Sequence, residues 1–177
     1  MNLNWLSPQF KTFSTILFFT IVGIYGALVY GKNIIVSLPL MIFYLTITVN
    51  TYYSMKLFTR IVEKHTFLQD SVDVVLVILY GFLAFNFDKP LMFVYIVSGL
   101  FIVATLKYVL LVGKLPHQKL LKNKIRIDSM GIIMGFITLI LTATGNLFFG
   151  TWFLAITFGI ANIILLFIWP MYKLEEN

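Results

Sequence analysis

The sequence predicts an all-α polytopic integral membrane protein, with six transmembrane helices arranged as three hairpins, short outer turns and cytoplasmic N- and C-termini. Three observations predict it. The 177 residues are 60 % hydrophobic and 11 % charged, with a mean hydropathy of +0.95, far more apolar than a soluble domain of that length. The apolar residues fall into six runs, each near the ~20 residues needed to cross a hydrocarbon core of about 30 Å. The basic residues crowd into alternate connectors, the pattern that membrane insertion leaves on the cytoplasmic side.

Residues 1–177 read as one transmembrane bundle with spans near 12–30, 34–55, 72–87, 91–113, 129–144 and 147–169. The segment MNLNWLSPQFK is polar, and the run after it lacks a small-residue cleavage site, so Thr12 to Tyr30 reads as span one, not a cleavable signal. A tight Gly31-Lys32-Asn33 turn leads to span two, with Pro39 near its outer end, where a missing N–H costs least. KLFTRIVEKHTFLQ, residues 56–69, spaces Leu57, Ile61, Val62 and Phe67 at roughly helical intervals and is expected to lie along the membrane surface.

Asp70-Ser71 opens the short span three, and Asp88-Lys89-Pro90 makes a compact outer turn into span four. The connector that anchors the orientation is KLPHQKLLKNKIRID, Lys114 to Asp128, with Lys114, Lys119, Lys122, Lys124 and Arg126 between two apolar runs. Asp128-Ser129 is read as opening span five, through helix capping and a favourable place in the dipole. Span six follows a charge-free Gly145-Asn146 turn and stops at Pro170. With both ends inside, the inner side also holds Lys11, Lys56, Arg60, Lys64 and Lys173, against only Lys32 and Lys89 outside. This places the protein in the inner (plasma) membrane of a prokaryote.

The net charge of +6 and pI near 9.5 therefore read as topology signals beside lipid, and the basic residues form no face for nucleic acid. Cysteine is absent, which excludes disulfides, thiolate metal sites and cysteine nucleophiles. No hydrolase elbow, HExxH helix, phosphate-binding glycine loop or intramembrane carboxylate pair occurs. No enzyme activity, cofactor or metal is expected, since His65 and His117, with Glu63 and Asp70, fit no metal-ligand spacing.

Lipid supplies no hydrophobic force between helices, so small-residue stripes mark packing faces. Gly131, Gly135, Thr138, Thr142 and Gly145 form one such stripe in span five; Thr151, Ala155, Gly159 and Asn162 form another in span six; Thr20, Gly23 and Ala27 form a third in span one. The last is expected to meet a neighbouring helix, another copy of the chain or a partner membrane subunit.

Lys107 is the residue most able to carry chemistry, because it lies inside span four, roughly 10 Å along the helix from Lys114. An ammonium at that depth snorkels to the headgroups or finds a partner. Asp73, about one turn into span three, stands at a comparable level, and Asn50 and Asn162 are expected to complete a polar cluster for an ion or small solute. The expected function is transport-type, as a solute- or ion-binding protein or transporter subunit. The alternative is a non-catalytic interaction, immunity, stress-response or assembly factor.

A weak internal echo supports the hairpin repeat: Asp70-Ser71 against Asp128-Ser129, and Phe93-Val94-x-Ile96-x-x-Gly99 against Phe153-Leu154-x-Ile156-x-x-Gly159. Three such hairpins loosely resemble the topology of HdeD-like acid-resistance membrane proteins, a likeness that carries over no activity. Six short-looped spans and the Gly23-x-x-x-Ala27 step resemble the substrate-binding subunits of energy-coupling-factor transporters. That resemblance implies a solute-binding subunit that docks through span one.

Overall fold

Each apolar run becomes a helix, the second even with Pro39 as its sixth residue, and each connector carries its own stop signal. A computed structural model describes residues 8–62 and 66–172. The helices are α1 (Pro8–Tyr30), α2 (Ile34–Ile61), α3 (Phe67–Ala84), α4 (Pro90–Val109), α5 (Gln118–Ala143) and α6 (Leu147–Ile163), the last running into a π-helical turn, Ile164–Ile168. All six are long and apolar enough to cross a membrane.

Three short turns at one end behave as expected. Asn33 caps α2 by accepting from the Ile35 N–H at 3.1 Å, Pro90 begins α4 where no N–H is needed, and Gly145 takes φ +87°, a conformation that favours glycine.

The connectors at the opposite, basic end are shorter than expected. The segment from Lys56 does not leave the bundle; α2 continues to Ile61, and Leu57 and Phe58 are buried against Tyr108, Leu111 and Leu121. Glu63, Lys64 and His65 lie outside the described residues. The cap of α3 is Thr66, not Asp70: the Thr66 N–H donates to Gln69 Oε1 at 2.8 Å, and the Gln69 N–H returns to Thr66 Oγ1 at 3.4 Å, a capping box.

The larger correction concerns the anchor connector. Its second half is helical, so Asp128 lies ten residues beyond Gln118, inside α5, and does not open the helix. Lys, Leu, Gln and Arg are good helix formers, and Leu121, Lys124 and Asp128 all face inward. The turn itself is only 110–117, where Gly113 takes φ +78°. Gln118 closes it by accepting from the Gly113 N–H at 3.2 Å and donating to the Leu115 carbonyl.

The six helices form a closed ring in the order α1, α2, α6, α5, α4, α3, with α2 and α4 also meeting across the middle. Close approach at small residues holds the ring. A Cβ on Gly23 would fall 2.1 Å from the Tyr44 ring, one on Gly26 would fall 2.1 Å from the Ala84 carbonyl oxygen, and one on Gly131 would fall 2.7 Å from Phe101. The stripe of span one thus packs within the chain, with Ala27 partly buried beside it.

Gly135, Thr138 and Thr142 are buried as expected, but Gly159 is not a packing residue, since a Cβ there would meet nothing within 4 Å. Successive four-residue steps rotate by about 40°, which carries Gly159 off the face that buries Thr151, Leu154, Ala155, Phe158 and Asn162. Gly150, against Thr142, supplies the close contact instead.

Inside the ring the two ends differ. Toward the three short turns, Leu40, Phe43, Tyr44, Leu83, Phe87, Phe93 and Val97 form a continuous apolar core. At the basic end a second, smaller cluster of Leu57, Phe58, Tyr108, Leu111 and Leu121 packs α2, α4 and α5 together. Between these two layers lies the polar interior.

Candidate functional site

The helix halves nearest the basic end carry hydroxyl, amide and charged side chains on their inner faces. They surround a cavity of about 260 Å³ whose lining includes Asn50, Asp73, Tyr80, Lys107, Lys124 and Asp128. Of the two outcomes open to Lys107, snorkelling or pairing, the structure shows pairing, with Lys107 Nζ 2.5 Å from Asp73 Oδ1. Both also line a smaller space of about 70 Å³ bounded by Thr59, Val62 and Gln69. The pair therefore stands between the main cavity and the basic end. It is only half-buried, with 21 % and 37 % of the Lys107 and Asp73 side chains exposed.

A second pair was not anticipated. Lys124 Nζ lies 2.6 Å from Asp128 Oδ1, and both side chains are almost inaccessible. The sequence pattern reads Lys124 as a topology signal of the anchor connector and Asp128 as a helix opener, yet both are buried within the ring. Their order, lysine one turn before aspartate, is the weaker orientation for helix stabilisation, and a buried pair usually gains little over an apolar substitute. Stabilisation of α5 is therefore a poor reason for its presence.

Hydroxyl groups line the same cavity as the two pairs. Tyr108 shares a 2.5 Å hydrogen bond with Ser54, and its ring faces the Lys124 ammonium at 5.3 Å. Tyr80 donates to the Ile47 carbonyl at 3.2 Å and shares a 2.5 Å bond with Thr51. Beyond α6, Tyr172 donates to Asn50 Oδ1 at 2.7 Å. Burial raises the pKa of that hydroxyl, and the Lys124 ammonium beside it pulls the pKa back down.

Asn50 joins this cluster, as expected, but Asn162 does not. Asn162 lines a separate cavity of about 340 Å³ on the α5–α6 side, which Asn50 and Asp128 also border. Its amide donates to the Phe158 carbonyl at 2.9 Å. Asp128 and Asn50 thus form part of a partition between two chambers. Among the described residues no three His, Cys, Asp or Glu side chains are grouped to hold a metal ion, and His117 is exposed. The environments of the two echoed motifs also differ: Ile96 is buried where Ile156 is exposed.

No protein-family model, curated protein or solved structure matches the chain. Its functional reading rests on this geometry.

Proposed function

We propose that the protein is a multi-pass membrane protein that binds an ion or small polar solute in the cavity between the two lysine–aspartate pairs and passes it toward or from the basic end. The observation that carries the reading is the convergence of Asp73, Lys107, Lys124 and Asp128 on one cavity. Charges inside a membrane bundle are costly, so where they occur they face a pathway or one another. Here they do both. The Asp73–Lys107 pair, half-exposed at the junction of two spaces, is placed to open and close against solvent. The apolar core on the other side of the cavity forms the barrier.

The basic end is the cytoplasmic end in this reading. Lys11, Lys56, Arg60, Lys114, Lys119, Lys122 and Arg126 are exposed there, against Lys32 and Lys89 at the other, and burial of Lys124 leaves that asymmetry intact. Under this proposal both termini lie inside, and the membrane is the plasma membrane of a prokaryote.

Proteoliposome flux of protons, alkali cations, halides and small zwitterions tests the proposal, with wild type beside Asp73→Asn and Lys107→Met. Flux of at least one probe that both substitutions abolish supports it. An absence of flux with every probe sinks it.

A further inference from the structure

The outward side of α5 is a stripe of two chemistries. Lys119, Lys122 and Arg126 recur at steps of three and four and are all exposed, the spacing that keeps residues on one side of a helix. Met130, Ile133 and Ile137 continue the same stripe away from the basic end, and they too are exposed. On the inward side Lys124 is neutralised by Asp128. None of the three outward cations forms an ion pair among the described residues.

Where the cations give way to apolar side chains, the chamber between α5 and α6 opens. Met130 and Trp169 both line it and stand 56 % and 74 % exposed, so its mouth is on the side of the bundle, one turn along α5 from Arg126. The two helices run antiparallel, with Gly150 against Thr142 at the far end. That register brings the π-helical turn and Trp169 to about the level of Lys122 and Arg126.

Inside, the walls are mostly apolar or aromatic, including Phe101, Met134, Phe158 and Leu165, around about 340 Å³. Asp128 Oδ2 and Asn162 Oδ1, oxygens of two lining residues, each expose less than 1 Å². The chamber therefore offers an occupant mainly hydrocarbon and aromatic rings.

An occupant must match an anion-seeking pair of cations and, one turn deeper, an apolar recess entered from the side. A free anion would leave the recess empty. A zwitterionic lipid brings its own ammonium to compete with Lys122 and Arg126 for its phosphate. We propose that this side of the bundle binds one anionic phospholipid, its phosphate on Lys122 and Arg126 and one acyl chain in the chamber past Met130 and Trp169. Basic pockets beside membrane helices hold such headgroups, the arginine fork matches phosphate oxygens, and tryptophan is enriched at the headgroup level. The inference requires the bundle to lie in a bilayer and is independent of solute passage through the neighbouring cavity.

The test reconstitutes the full chain in vesicles of equal phosphatidylglycerol and phosphatidylcholine, extracts it in maltoside and measures the lipid that stays bound. Wild type is expected to retain phosphatidylglycerol over phosphatidylcholine. Lys122→Gln with Arg126→Gln should weaken that preference about fivefold for each cation removed. The control is Lys56→Gln with Arg60→Gln, which removes the same exposed charge at the same spacing and the same end. Those residues lie on α2, whose nearest residue on the chamber wall is Asn50, and the control should retain lipid as wild type does.

Ala161→Leu and Thr157→Leu, both on the chamber wall, probe the acyl chain. Whichever of them melts as wild type should retain less phosphatidylglycerol. Equal losses in the two double variants would reduce the attraction to diffuse surface charge. Equal retention of the two lipids would remove the headgroup contact, and a folded chamber variant with undiminished retention would leave the chain outside. Each of these results overturns the inference.

Discussion

Lys124 and Asp128 form an ion pair 2.6 Å long, one turn apart on α5, with 4 % and 2 % of their side chains exposed. Breaking such a pair on one side leaves an uncompensated buried charge. Lys124→Met is therefore expected to destabilise the protein by about 3–5 kcal/mol, whereas Lys124→Met with Asp128→Leu restores most of it. Thermal melting of the three proteins in detergent checks this. A single variant as stable as wild type would show that Asp128 finds another partner.

The Asp73–Lys107 pair should behave differently because it is partly solvated. Asp73→Asn is expected to cost about 0–1 kcal/mol in stability, as exposed pairs do, while removing flux. Measuring melting and flux on the same preparation separates the two effects. Loss of both together would make the pair a structural tie.

The glycines divide into two classes. Gly26→Ala drives a Cβ to within 2.1 Å of the Ala84 carbonyl oxygen, which cannot move without its helix, and is expected to cost about 1–3 kcal/mol. Gly159→Ala meets open space and should stabilise α6 by about 0.5–1 kcal/mol, since glycine is a poor helix residue. Comparative melting distinguishes them, and equal shifts would contradict the packing of α1 on α3.

Orientation is testable because the chain has no cysteine. Asn146→Cys and Lys89→Cys should react with an impermeant maleimide from outside the cell, and His117→Cys only after the membrane is opened. The reverse pattern would invert the bundle.

Helix number and the three short turns were legible because each turn carries its own local signal, Gly31-Lys32-Asn33, Asp88-Lys89-Pro90 and Gly145-Asn146; the structure adds that Asn33 caps α2, Pro90 begins α4 and Gly145 takes positive φ. The Asp73–Lys107 pair was legible from matched depth. What escaped was the inward half of the anchor connector. Five basic residues in a row of thirteen read as a topology signal in a connector, and Asp128-Ser129 read as a cap, so Lys124 and Asp128 were separated from the packing face they share.

The signal was nevertheless present. Leu121, Lys124, Asp128, Gly131, Gly135, Thr138 and Thr142 recur at alternating steps of three and four, and all seven are buried. The stripe seen from Gly131 onward simply continues back through the charged residues. Asn162 was misplaced for another reason: depth along a helix says nothing about which side of Asp128 its amide will reach.

The most direct test of the central claim is the accessibility of the polar cavity from the basic end. Ala104 lines that cavity, and Val97, two turns earlier on α4, is fully buried in the apolar core. In sealed vesicles with the basic end outward, a charged methanethiosulfonate should modify Ala104→Cys rapidly, leave Val97→Cys untouched, and react faster still when Asp73→Asn weakens the pair at the junction. An Ala104→Cys protein that stays unmodified, with and without Asp73→Asn, would contradict the account.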